Sequence, residues 1–252
     1  MDFCEKYFHP LYEESYNDFI DAIPFQDEII LSFTQYEGKL RMPDLLGKTV
    51  RVSAVQLPDV YVKVEKLSQA AGIAVPDVYV YEDFSYGVEA KGVSAPRIEI
   101  SAKTIADLSD VELNFLLARE ICRIKHSMTK LTLTGEHLLN MLNNTSLVPG
   151  SDTLAKAARL KYAKWSRLSH YSADCYGLLA TGNIRACVRA ILILVLNNKD
   201  LAEKININEY IAQASDIYLL DDVISRFSQN DEKIPYGPLR IKNLLAFAVK
   251  EL

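Results

Sequence analysis

Two short charged patterns contain most of the residues that could do chemistry. The first is Arg119-Glu120-x-x-Arg123, with Cys122 inside it and His126 just after it. The second is His170-x-x-x-Asp174. On a helix, residues three and four apart share a face, so Arg119 and Arg123 project together, as do His170 and Asp174. Arginine stays protonated and offers no lone pair to a metal. The chemistry open to the first pattern is therefore guanidinium–carboxylate pairing. A metal site would need other donors. Cys122 and His126 are one turn apart, and with His170 and Asp174 they would make an acceptable four-ligand zinc set. The two arginines lie among those ligands and oppose a cation. Cys175 with His170 is a poor nucleophile pair, because an offset of five residues puts them on different faces. Taken alone, an Arg-Glu-Arg helix is a solvated salt-bridge pattern.

The elements that must position these residues are mostly helical. Ser109 and Glu112 have capping-box spacing and open a helix with Leu113, Leu116, Leu117, Ile121 and Ile124 on its apolar face. Periodicity predicts another helix roughly over 131–145, a loop from Leu147 to Ser151, and a long helix from near Asp152 through Trp165 to Thr181. Further helices are expected from Ile184 to Leu196, around 208–227, and in a short stretch after a turn at Pro235–Pro238. Upstream, Tyr7, Phe8, Leu11, Tyr12, Tyr16, Phe19 and Ile20 fall at helical spacing. Pro24, Gly38, Pro43 and Gly47 read as turns after them. Leu57-Pro58 opens a helix that Gly72 closes. Strands are expected over 78–81 and 97–100, with a hairpin or third strand over 84–92. The class is α+β, mostly helical, with a small antiparallel or mixed sheet. Residues 1–48 read as an N-terminal helical extension and 49–252 as the main domain. Trp165 is expected as a core anchor, and Cys175 and Cys187 as small core residues. His9 and His137 are expected at the surface or in loops, and Asp216 to Asp222 on a solvated helix face.

Composition narrows the function classes. With 252 residues, 49% hydrophobic and 24% charged, the chain suits a soluble globular protein with an ample core. A net charge of -5 and no basic stripe argue against a nucleic-acid partner. The longest apolar run, Ala190 to Leu196, is far short of the roughly 20 residues of a membrane helix, and the N-terminus is too acidic for a signal peptide. Cys4, Cys122, Cys175 and Cys187 match no disulfide framework, so reduced thiols and a cytoplasmic setting are expected.

The surroundings of the two patterns change their meaning. The first runs Leu108-Ser109-Asp110-Val111-Glu112-Leu113 and on through Ala118-Arg119-Glu120-Ile121-Cys122-Arg123-Ile124-Lys125. The second runs Trp165-x-Arg167-x-Ser169-His170-x-Ser172-Ala173-Asp174-x-x-Gly177-Leu178-Leu179-Ala180. In order and spacing they resemble the paired motifs of the HtpX-like zinc metallopeptidases, gluzincins of the CAAX-prenyl-protease type. Val55 to Pro58, Gly72-Ile73, Pro76 to Val80 and Pro238 to Ile241 agree more loosely. Arg97 to Ser101 resembles the family's substrate-edge strand. The resemblance spans roughly residues 49–252, which it implies to be a zincin-like, peptidase-like domain.

In that family HExxH supplies two zinc-binding histidines and the general-base glutamate. A glutamate on the later helix is the third ligand, and an aspartate four residues on orients a ligating histidine. The resemblance implies that Arg119 and Arg123 stand at the histidine positions and His170 at the third-ligand position. Glu120 keeps the general-base position, and Asp174 the orienting one. With all three ligands replaced, zinc-activated water is not expected. The expected function is a catalytically inactive metallopeptidase-like protein, a peptide- or protein-binding or regulatory module. No cofactor is expected, although the family uses zinc, and the partner is an unknown protein or peptide. Extended peptides could still be held by strand addition. The alternative is an active zinc metalloendopeptidase with a non-standard metal site.

Overall fold

A computed structural model describes residues 5–22, 26–144, 151–220, 230 and 232–251. Its sheet is small and mixed. Strand β1 (Val50–Arg51) pairs antiparallel with β2 (Asp77–Tyr81), β2 pairs parallel with β4 (Arg97–Ser101), and β3 (Val88–Lys91) pairs antiparallel with β4. The order β1-β2-β4-β3 leaves β3 at an edge. The segment read as a hairpin or third strand is both, since β3 turns back through Gly92 onto β4. This corrects one expectation. Residues 97–101 resemble a substrate-edge strand, yet β4 lies between β2 and β3, and the terminal strands are β1 and β3.

Helices make up the rest. They are α1 (Tyr12–Asp21), α2 (Gln26–Lys48), α3 (Pro58–Ala71), α4 (Ala102–Asp107), α5 (Asp110–Lys125), α6 (Met128–Asn144), α7 (Ser151–Thr181), α8 (Ile184–Leu196), α9 (Lys199–Ala202), α10 (Ile207–Leu219) and α11 (Gly237–Glu251). The class is thus α+β and mostly helical. Local signals set several ends. Ser109 and Glu112 complete a capping box at the start of α5. Gly72, at φ 71°, closes α3 in the left-handed conformation that glycine adopts without strain. Asn183 caps α8 by accepting from the Ala186 amide.

Other expectations change. Gly38, Pro43 and Gly47 do not make turns but lie inside α2, which packs along α6. Packing against a neighbour here overrides weak helix propensity. The first helix begins at Tyr12. Tyr7 and Phe8 precede it in a turn, yet are buried in the common core. The last helix, expected to be short, runs the 15 residues of α11. Helix α10 ends at Leu219, and the expected continuation from 221 to about 227 lies outside the described residues, as do Cys4, Pro24 and most of the loop expected from Leu147 to Ser151.

The core joins both ends of the chain to the long helix. Phe19 of α1 stacks on Trp165 of α7 at 5.7 Å between ring centres, and Tyr162 lies beside both. Trp165 is fully buried, as expected of an anchor. Helices α5 and α7 cross closely, and Gly177 makes this possible. A Cβ there would lie 2.7 Å from the Phe115 ring and 3.0 Å from Arg119 Cγ. Phe115 is fully buried and has no room to give way. Gly177→Ala should therefore lower the urea midpoint by the equivalent of about 1–3 kcal/mol, despite alanine's better helix propensity. An unchanged midpoint would mean that the α5–α7 crossing tolerates separation.

Candidate functional site

The crossing of α5 and α7 brings the two charged patterns together. Arg119, Glu120 and Arg123 come from α5, and Ser169, His170 and Asp174 from α7. Arg240, on α11, completes the group. Arg119, Glu120, Arg123, Asp174 and Arg240 are all buried. Asp174 is the hub. Arg240 donates to it through Nε and Nη2, each at 2.9 Å, in a bidentate fork. Arg119 Nε donates to the same carboxylate. Burial alone would raise the Asp174 carboxyl pKa, but the Arg240 and Arg119 charges outweigh it and hold the pKa below the ordinary value.

Glu120 is held differently. Its Oε2 accepts from the Ala90 amide of edge strand β3 at 2.9 Å. The two arginines flank it more loosely, with Arg119 Nη1 at 3.7 Å and Arg123 Nε at 3.6 Å. Among the described residues Arg123 has no closer carboxylate. Its Nη1 donates to Ser169 Oγ and its Nη2 to Thr132 Oγ1, both at 3.1 Å. His170 accepts at Nδ1 from Arg119 Nη2 at 3.3 Å. Burial first, then the Arg123, Arg119 and Arg240 charges, push the His170 pKa well below its ordinary value, so the imidazole is neutral at physiological pH.

Arg119, Glu120, Arg123, His170 and Arg240 floor a cleft of about 930 Å³, with Asp174 buried beneath them. Tyr81 and residues 87–89 of the β3 edge form one wall. Leu194, Val195, Ile234 and Pro235 supply apolar surface, and Tyr162, Ser166 and Thr132 lie opposite. Arg167 lies outside the floor and ties the segment before α11 to α7, donating to the backbone carbonyls of Asn230 and Glu232.

The donor chemistry of this floor does not suit a metal. Its nearest nitrogens are guanidinium groups, which carry positive charge and no free lone pair. The alternative ligands do not converge either. His126 Nε2 lies 2.7 Å from the Tyr7 hydroxyl, Asp174 is taken by two arginines, and Cys122 is buried in the core. Among the described residues no three His, Cys, Asp or Glu side chains form a group able to hold a metal. Helical spacing put Cys122 and His126 on the broad face of the arginines, but the α5 side chains diverge. His126 turns toward the N-terminal segment, where Tyr7 and Phe8 pack on its ring. His9 and His137 are partly buried, His9 stacking on Tyr171 and His137 tilting against Phe33.

Several members of the group were not legible as partners. Arg240, in a tail motif, could be read from sequence as a structural charge partner, but nothing there named Asp174 as the group it meets. Thr132 and the Ala90 amide had no signal at all, because backbone groups and lone hydroxyls leave no pattern in sequence.

Among curated proteins, the chain is similar to the plastoglobule-localized metallopeptidase 48, chloroplastic, of Arabidopsis thaliana. The two are 23% identical over 220 residues, covering 84% of this chain and 61% of that protein. The chain thus spans less than two thirds of its relative's length. No family model and no solved structure matches it. The chain is metallopeptidase-like at the level of this distant relationship. The relative's location in the chloroplast, at the plastoglobule, overturns the cytoplasmic setting expected from the thiols. The thiols could not carry that inference. Cys122, Cys175 and Cys187 are free and buried, and burial pushes the Cys122 thiol up to about 12 and Cys187 up to about 11. Such thiols are inert in any compartment. Among the described residues no helix is long and apolar enough to cross a membrane.

Two outcomes follow from the buried charges. Asp174→Asn leaves Arg119 and Arg240 without their shared carboxylate and should destabilise the fold by about 3–5 kcal/mol in urea titration. A loss under about 1 kcal/mol would mean that water reaches the pair freely. The second concerns His126, which burial and then Lys125 push down to about 4. Unfolded, it protonates near 6.5. The unfolded chain therefore binds more protons between those values, and stability falls as pH drops through the window. His170 and His9 are also pushed down by burial and act in the same direction. The urea midpoint should fall between pH 7 and 4, and less steeply in His126→Gln. Equal slopes would remove His126 from this account.

Proposed function

We propose that this chain is a catalytically inactive metallopeptidase-like protein of the HtpX-like type, working as a peptide- or protein-binding or regulatory module. Residues 49–252 would form its zincin-like, peptidase-like part, with residues 1–48 as a helical extension packed on it. The observation that carries this reading is the state of Arg119 and Arg123. Both positions resemble the zinc-binding histidines of the family, and both guanidiniums are buried beside Glu120. A hydrolase of that type needs a cation where these two positive charges lie, so no step is derived through zinc, and no cofactor is proposed. Glu120, at the family's general-base position, has no metal-bound water to deprotonate and instead accepts from the Ala90 amide.

Binding needs none of the lost chemistry. Strand addition uses backbone groups and side-chain pockets, and Val88 of the terminal strand β3 lines the cleft. Residues turned toward β4 include Gly87, whose carbonyl accepts from the Ser101 amide. The alternation of an antiparallel ladder then turns Val88 and Ala90 outward, in agreement with the Ala90 amide reaching Glu120. The alternative, an active zinc metalloendopeptidase with zinc bound by Cys122, His126, His170 and Asp174, finds no support in where those side chains lie among the described residues. The expected result is no cleavage of unfolded casein above background, with or without chelator, and sub-stoichiometric transition metal in protein purified without chelator. Chelator-sensitive cleavage that disappears in Glu120→Gln would overturn the proposal.

A further inference from the structure

The loop between β2 and β3 holds one aromatic side chain out in water. Phe84 is 84% exposed. A lone exposed apolar side chain is ordinary, but the backbone beneath this one is fixed from several sides. The Phe84 carbonyl accepts from Lys103 Nζ at 2.9 Å and from Asn197 Nδ2 at 3.2 Å. The residues around it are pinned as well. The Ser85 amide donates to Asp83 Oδ1, the Tyr86 amide to Asn197 Oδ1, and the Tyr86 hydroxyl to Asp107. Phe84 is thus a preorganised knob, an aromatic anchor whose backbone loses little freedom on burial. Its surroundings are acidic. Glu82, Asp83, Asp107 and Asp200 outnumber Lys103 and Lys199, and both lysines turn to backbone carbonyls. Such a corner disfavours an anionic lipid surface.

A hollow of about 80 Å³ lies at the other end of the same sheet. Helix α2 gives it Arg41, Met42 and Leu45, the turn after β3 gives Val93 and Ala95, and the sheet gives Asp77 and Arg97. That volume holds several waters and so admits an aromatic ring. Its charge is opposite to the knob's. Asp77 is matched by Arg51 and Arg97 by Glu99, and neighbouring Asp44 is matched by Lys48. Arg41 is exposed and forms no ion pair among the described residues, which leaves one positive charge at the mouth. We infer that the Phe84 knob of one molecule seats in this hollow of a second copy of the chain, with Arg41 meeting Glu82 or Asp83. Strand β2 runs from Asp77 at the hollow to Tyr81 beside the knob, roughly 13 Å over its four steps. The two therefore cannot meet within one molecule. The contact is heterologous: each copy offers one knob and one hollow, and copies add head to tail unless their rotation closes a ring. A rigid anchor supplies the affinity, and the opposite charges set its register. Neither the cleft nor the function proposed for it takes part.

The test is sedimentation velocity on the whole chain over a concentration series. The weight-average sedimentation coefficient should rise with concentration, and less steeply in high salt. Phe84→Ala and Arg41→Glu should each weaken the association at least about tenfold, the scale of one lost anchor or charge pair. Both side chains are exposed, so both variants keep the fold, which an unchanged melting temperature checks. Mixing the two variants is decisive. Arg41→Glu keeps its knob and Phe84→Ala keeps its hollow, so the mixture should form dimers that grow no further. No rise for the unaltered chain up to about 1 mM would overturn the contact. A rise that Phe84→Ala leaves unchanged would place the association elsewhere and overturn it too. Loss in Phe84→Ala without loss in Arg41→Glu would give the knob another seat, which overturns the hollow as its partner. A mixture as monomeric as its separate components would overturn the head-to-tail contact.

Discussion

Asp174 joins three helices that are distant in sequence. Its carboxylate, fully buried on α7, takes Arg119 from α5 and Arg240 from α11. Neither arginine could be buried without it, because an uncompensated guanidinium in a dry interior costs several kcal/mol. The carboxylate in turn stays ionised there only because two cations surround it. Each partner is therefore a condition for the others, and the orientation of α5, α7 and α11 is set by that mutual requirement. Net stabilisation need not be large for this to hold, since desolvation offsets much of the Coulombic gain. The network's main effect is geometric: it holds the floor of the cleft in one arrangement.

The close approach of α5 to α7 serves the same end. Gly177 lets the Phe115 ring and the stem of Arg119 lie directly against the α7 backbone, which brings the Arg119 fork within reach of Asp174. On the other side of α5, Glu120 reaches out to the Ala90 amide and ties the helix to the sheet. One turn of helix thus connects a buried charge cluster to the terminal strand of the sheet. Apolar side chains of α8 and of the segment before α11 close the cleft around them.

Much of the fold was legible because it rests on local rules. The capping box of α5, the glycine stop of α3 and the apolar periodicity of α7 and α8 are each written in a few neighbouring residues. The failures have a common cause. Gly38, Pro43 and Gly47 signal turns in isolation, but the packing of α2 along α6 outweighs that preference. Residues 97–101 have the composition of an edge strand, but strand order depends on which partner arrives on each side, and β3 folds back to cover that edge.

At the candidate site the same division applies. The sequence by itself determined that Arg119 and Arg123 share a helix face and that neither can ligate a metal, because both follow from spacing and side-chain chemistry. It also determined that two acids stand at related positions. Only the tertiary structure decided the pairing. Arg119 shares Asp174 with Arg240, Arg123 settles on Ser169 and Thr132, and Glu120 turns to a backbone amide. The physical reason is that a charge is buried by whatever three-dimensional neighbours can satisfy it. Those neighbours come from α6, α7, α11 and β3, whose approach is governed by packing that no local spacing encodes.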